Sequence, residues 1–199
     1  MKNSHRISVR FIATTPSGDV PLNADRAKKY LPMDPQAKDA ENGLRYGPYL
    51  EAVCGLLKRK NWQRILEALK RRLDRVVDLA EIEWLEIRTE KHGAYYNVAR
   101  ADFSVSGDIL SFAVNVATSE EAKPQLVKDY RLLSKLERRY GYPCFPRVYF
   151  KGAERYREDG KTKCWLHMFV AEWLRGYHEF HLHLDQRENS YHVLLWDLD

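Results

Sequence analysis

The feature that most constrains this chain is a change of hydrophobic period near Ile82. Before it, Trp62, Ile65, Leu66, Leu69, Leu73, Val76 and Val77 recur at the three- and four-residue spacing of an amphipathic helix. After it the period turns to two, the mark of a half-buried strand. From Ile82 to Leu174 the order is strand, turn, strand, turn, strand, long helix, strand, strand, with short connections. That order predicts an α+β sheet carrying one long helix.

The individual elements follow from local chemistry. Residues 83–88, 94–103 and 109–117 alternate as strands, separated by turns at Thr89–Gly93 and at Ser106-Gly107-Asp108. Ser119 is placed to cap a helix with Leu126, Tyr130, Leu133, Leu136 and Tyr140 on one side, and Gly141 stops it. Residues 145–150 and 164–173 predict two more strands around a charged loop at Glu158-Asp159-Gly160. Residues 179–185 and 191–197 predict a closing β-hairpin.

The N-terminal part reads differently. Residues 6–14 alternate as a strand, Pro16–Asp19 is turn chemistry, and Val20 to Leu22 predict a short return strand. A brief helix is expected from Asn23 to Lys29, then a polar loop over 34–47. Gly47-Pro48 opens a helix with Tyr49, Leu50, Val53, Leu56 and Leu57 inward, and Asn61 is placed to cap a second. The two helices predict a hairpin. The chain therefore divides into a basic segment over 1–80 and a sheet segment over 81–199.

Charge supports that division. The chain carries +5 overall, but residues 1–80 hold 16 Lys/Arg against 9 Asp/Glu, so the rest is net negative. No apolar run reaches the roughly 18 residues that span a bilayer, and no signal-peptide core follows Met1. Cys54, Cys144 and Cys164 lie far apart without a CxxC pair, a usage that predicts a cytoplasmic chain with free thiols.

Several short patterns in the sheet segment, taken in order, resemble the small N-terminal lobe of the protein-kinase-like fold, with its aminoglycoside phosphotransferase and choline kinase relatives. Gly93-Ala94-Tyr95-Tyr96-Asn97-Val98 is similar to the phosphate loop, and Phe112 to Ala117 to the strand that normally reads Ala-Val-Lys. Lys128 to Leu136 resembles the helix with the ion-pairing carboxylate, Phe145 to Tyr149 the strand after it, and Met168 to Gly176 the hinge. The resemblance covers about half the chain. It implies a five-stranded antiparallel small lobe with one long helix, preceded by a strand and a helical hairpin and followed by a β-hairpin. It also implies a cleft for ATP and Mg²⁺, with Lys91, His92 and Gly93 at the phosphates and Val98 and Ala113 as walls. Asn115 and Asp129 would form its polar end, and Glu172 and Leu174 its hinge.

Two departures change what the resemblance implies. Asn115 stands where a lysine ammonium normally holds nucleotide phosphates, and an amide supplies no positive charge. Only 25 residues follow Leu174, too few for a helical catalytic lobe. The expectation is a noncatalytic, pseudokinase-like small lobe that is completed by a second lobe or partner domain. The alternatives are a phosphotransferase whose other half lies elsewhere, and a basic module that binds nucleic acid or an acidic partner.

The basic module would use Arg64, Arg71, Arg72 and Arg75, within a stretch of 8 Lys/Arg and 2 Asp/Glu over residues 58–75. The simpler reading is a solvated helix face. His181, His183 and Asp185 share one side of a strand at a spacing that suits a metal, yet the preferred reading is the polar face of an exposed hairpin, and no metal is assigned.

Overall fold

The computed structural model describes residues 7–15, 18–23, 28, 44–92, 97–141 and 145–174. In chain order they form β1 (Ser8–Thr15), β2 (Gly18–Pro21), α1 (Tyr46–Lys58), α2 (Gln63–Leu73), β3 (Ile82–His92), β4 (Asn97–Val105), β5 (Asp108–Ala117), α3 (Ala122–Tyr140), β6 (Val148–Glu158) and β7 (Lys161–Glu172). The fold is α+β. No helix of the described residues is long and apolar enough to cross a membrane.

The strands make one sheet in the order β2-β1-β3-β4-β5-β7-β6. β3 to β7 pair antiparallel throughout. Two of their connections are two-residue turns, Ser106-Gly107 (φ 52° and 89°) and Asp159-Gly160 (φ 49° and 75°). Positive φ at both central positions gives the turn twist that matches paired strands, and glycine adopts it without a steric penalty.

The expected five-stranded antiparallel sheet is instead a mixed sheet of seven strands among the described residues. The N-terminal strand does not sit apart. β1 pairs parallel with β3, placing Val9 beside Leu85 and Phe11 beside Ile87. A parallel pair needs a long crossover, and the α1–α2 hairpin supplies it. Residues on both sides of position 80 thus share one sheet and one core, with Leu50, Val53, Leu57, Ile65 and Leu69 packed on Leu85, Phe103, Phe112, Val114 and Val170.

Alternation along β7 separates the two faces of the sheet. Met168 and Val170 belong to the core under the helical hairpin. Phe169 and Ala171 belong to a smaller cluster with Ala117, Val148, Ala122 and Leu126, against which Tyr130 and Leu133 pack. The hairpin therefore lies on one face and α3 on the other. The Tyr130 and Phe169 rings meet edge to face at 5.8 Å.

α1 buries eight of its thirteen residues, so it is apolar around most of its circumference. It reaches β6 at Gly152, where an added Cβ would lie 2.6 Å from Leu56 Cδ1. α2 ends earlier than its stripe predicts. Asp74 takes a left-handed conformation (φ 53°), which closes the helix before Val76 and Val77. Val77 is still buried, whereas Val76 is 68% exposed. Asn61 does not cap α2; Lys60, Asn61 and Trp62 all have positive φ and form the tight bend between the helices. That bend seats the Trp62 ring edge to face on Phe103 at 6.3 Å.

α3 follows its sequence signals. Ser119 Oγ accepts the Ala122 N–H at 3.2 Å, and the N–H of Gly141 (φ 75°) bonds Glu137 O at 2.8 Å. β6 and β7 are longer than expected, because the polar run from Lys151 to Lys163 continues the pairing instead of looping out. Most of the short helix expected from Asn23 to Lys29, and the closing hairpin beyond residue 174, lie outside the described residues.

Candidate functional site

Alternation places Val98, Arg100 and Asp102 of β4, and Glu86, Arg88 and Glu90 of β3, on the face opposite the helical hairpin. Val98 pairs directly with Asn115, and Ala113 with Arg100. The expected cleft walls and polar end are therefore adjacent on the sheet. Asn115 also pairs with Phe169, whose ring touches Tyr130 of α3, next to Asp129. The Asp129 carboxylate accepts a hydrogen bond from Gln125 Nε2 at 2.7 Å.

Charges fill the part of this face over β3 and β4. Arg88 and Arg100 lie directly across from each other, an arrangement that repels unless it is offset. Asp102 lies between them, 2.9 Å from Arg100 Nε and 3.8 Å from Arg88 Nε. Arg88 also pairs with Glu86 and Asp19, and Glu90 stands 3.9 Å from Arg100. Four carboxyl groups thus surround two guanidiniums. The Arg100 guanidinium lies over the Trp173 ring at 5.5 Å. Burial pushes the Glu90 carboxyl above its ordinary value, against the pull of Arg100 and Arg88.

The other expected cleft residues are spread apart. Lys91 and His92 end β3, and Gly93 lies outside the described residues, as do His181, His183 and Asp185. Leu174 follows β7 and is half-buried. Glu172 turns toward the helical hairpin and lies 3.6 Å from Arg72 Nε, so its carboxylate faces away from Asn115.

The arginines of α2, and Arg75 just beyond its end, are not simply solvated. Arg64 Nη1 donates to Lys151 O at 2.8 Å, and Arg71 Nη1 to Val148 O at 3.1 Å, both on the outer edge strand β6. Arg71 Nη2 donates to Glu137 at 2.8 Å, which links α2 to α3 around the sheet edge. Arg72 donates to Ser111 O and stacks over Phe112. Arg75 Nη1 meets Glu81 Oε2 at 2.7 Å. Each of the four makes an internal bond.

Sequence reasoning missed Lys151, Tyr149 and Arg100, and read Trp173 within the hinge rather than beneath the Arg100 guanidinium. A strict period-two count through β3 and β4 would have grouped Arg88, Arg100 and Asp102 on one polar face. Nothing local signals Tyr149 or Lys151, because their setting depends on α2 arriving from far away in sequence. Tyr149 Oη has no hydrogen-bond partner among the described residues, and burial, aided by Glu172, pushes the phenol up to about 12.

Reactive side chains are scarce. Burial raises the thiols of Cys54 and Cys164, which disfavours the nucleophilic thiolate. No group of three or more His, Cys, Asp or Glu among the described residues is arranged to hold a metal. Comparison with protein-family models, with curated proteins and with solved structures gives no match.

Proposed function

We propose that β3 to β7 with α3 act as a kinase-like small lobe, noncatalytic as this chain stands, and completed by a second lobe or partner domain. The observation that carries this reading is one juxtaposition. Val98, Ala113 and Asn115 share the α3 side of an antiparallel run of five strands, with α3 inserted between the third and fourth in sequence. That is the element order the sequence resemblance implies.

The charges favour a noncatalytic role. Asn115 brings no cation to the place where phosphates would be held. Glu86, Glu90, Asp102 and Asp19 outnumber Arg88 and Arg100 on the same side of the sheet, over β3 and β4. A triphosphate would meet repulsion there, with nothing at Asn115 to offset it. The need for a further lobe draws support from α3, which buries only Ala122 and Leu126 fully and leaves Leu132 and Tyr140 about half exposed.

Incubation of the chain with Mg·ATP, with phosphate release measured against buffer, tests this reading. The expected result is release at the buffer rate. Turnover by the chain alone, lost in Asp129→Ala, would favour a phosphotransferase instead.

A further inference from the structure

A cleft of about 510 Å³ opens beside the edge strand β6, between α2 and α3. Arg64, Glu67, Ala68 and Arg71 line it from α2, Tyr130 from α3, and Tyr149 to Lys151 from β6. Its size falls within the range of small-molecule sites, about 300–1,000 Å³. It straddles the sheet edge: Arg64 and Arg71 come from the side of the helical hairpin, while Lys151 and Tyr130 lie on the α3 side, where Phe169 stands between Lys151 and Asn115 in the register.

Three cations converge on this cleft, and each rests on an aromatic ring. Arg64 lies 5.7 Å from the Phe150 centroid, Arg71 5.2 Å from Tyr149, and Lys151 5.2 Å from Tyr130. Strand carbonyls fix both guanidiniums, since Arg64 Nη1 is bound to Lys151 O and Arg71 Nη1 to Val148 O. The arginines stand seven residues apart, two turns along one side of α2. One hydrogen bond from Arg64 leaves the rest of its five-donor fork for a ligand. Glu67 is the one acid in the lining, and Gln63 Nε2 holds it at 3.3 Å. The lining is therefore net +2.

We propose that this cleft binds a phosphate monoester of a small organic molecule. Arg71 is already paired with Glu137 just outside the lining, so Arg64 and Lys151 are the cations that would meet a phosphate dianion. Charge-assisted bonds from the Arg64 guanidinium and the Lys151 ammonium suit its oxygens. The guanidiniums are already ordered, so little side-chain entropy is lost on binding. The volume leaves room for an organic body beside the phosphate, against Ala68 and the edges of the Tyr130 and Tyr149 rings.

Calorimetric titration of the full chain at low salt with inorganic phosphate, a hexose phosphate and adenosine monophosphate tests the assignment. At least one ester should bind with Kd below about 1 mM and more tightly than inorganic phosphate. Lys151→Gln, on an exposed strand position, should weaken it roughly tenfold or more, as should Arg64→Gln. Glu67→Gln should tighten it. Arg75→Gln, whose arginine holds Glu81 elsewhere, should leave it unchanged. The proposal is overturned by no heat with any ester, by equal affinity for inorganic phosphate, or by unchanged affinity in Lys151→Gln. Retention of an RNA oligonucleotide with no ester binding would also overturn it. These results are independent of Mg·ATP turnover, so the two proposals can fail separately.

Discussion

Arg72 and Glu172 meet at 3.6 Å with side chains only 16% and 5% exposed, which ties α2 to the end of β7. The same guanidinium donates to Ser111 O on β5 and covers the Phe112 ring at 5.5 Å. Removing one partner of a buried pair leaves the other charge uncompensated, at a cost of about 3–5 kcal/mol. Arg72→Met should therefore destabilise the chain by about that much in urea unfolding, while Arg72→Met with Glu172→Gln should recover part of the loss. A wild-type midpoint for Arg72→Met would show that the pair contributes nothing.

Gly152 marks the close approach of α1 to the sheet. A Cβ there would stand 2.6 Å from Leu56 Cδ1, and Leu56 is fully buried, so one of the two must shift. Gly152→Ala should cost about 1–3 kcal/mol by overpacking. In a Leu56→Ala background the same change should cost much less, because the clashing methyl is gone. Equal costs in both backgrounds would place the glycine requirement elsewhere.

The Glu90 carboxyl is raised, mainly by burial, so the folded chain holds that proton more tightly than the unfolded chain. The proton linkage then has a negative sign: this contribution to stability is greatest at low pH and is lost as pH rises from the ordinary value of 4.5 through the folded one. Glu90→Gln should stabilise the chain at neutral pH, with the gap closing below about pH 4. His167 acts in a separate window. Its pKa is lowered by burial and then by Lys123, so stability falls as pH drops below the ordinary 6.5. Unfolding midpoints measured from about pH 3 to 8 for wild type and Glu90→Gln check both windows. A gap that widens toward acid would reverse the assignment for Glu90.

Asn115→Lys would restore a cation beside Val98 on the candidate cleft face. It should raise affinity for Mg·ATP at least about tenfold if the face has the kinase-like arrangement. An unchanged or weaker response would mean that phosphates do not approach this position.

Some of the structure was legible because local chemistry decides it. Ser106-Gly107, Ser119 and Gly141 set the ends of β4, β5 and α3 whatever the rest of the chain does. The parallel pairing of β1 with β3 was not legible. Period two shows that Val9 and Phe11 face a core, yet it does not say which strand lies beside them. The length of β6 and β7 was hidden because Lys151, Arg155, Arg157 and Lys163 are exposed, and an exposed strand has the composition of a loop. For the sites, the helical wheel of α2 showed its arginines but not the β6 carbonyls that fix Arg64 and Arg71. Glu172 read as a hinge residue, since its side chain direction depends on Arg72, about a hundred residues earlier.

The decisive experiment titrates the ¹⁵N-labelled full chain with Mg·ATP and follows the amides of Val98, Ala113 and Asn115 beside that of Lys151. A noncatalytic lobe with Asn115 in place of a cation should show no saturable shift at the first three residues in wild type and a saturable shift there in Asn115→Lys. Micromolar saturation at Val98, Ala113 and Asn115 in the unaltered chain would contradict it.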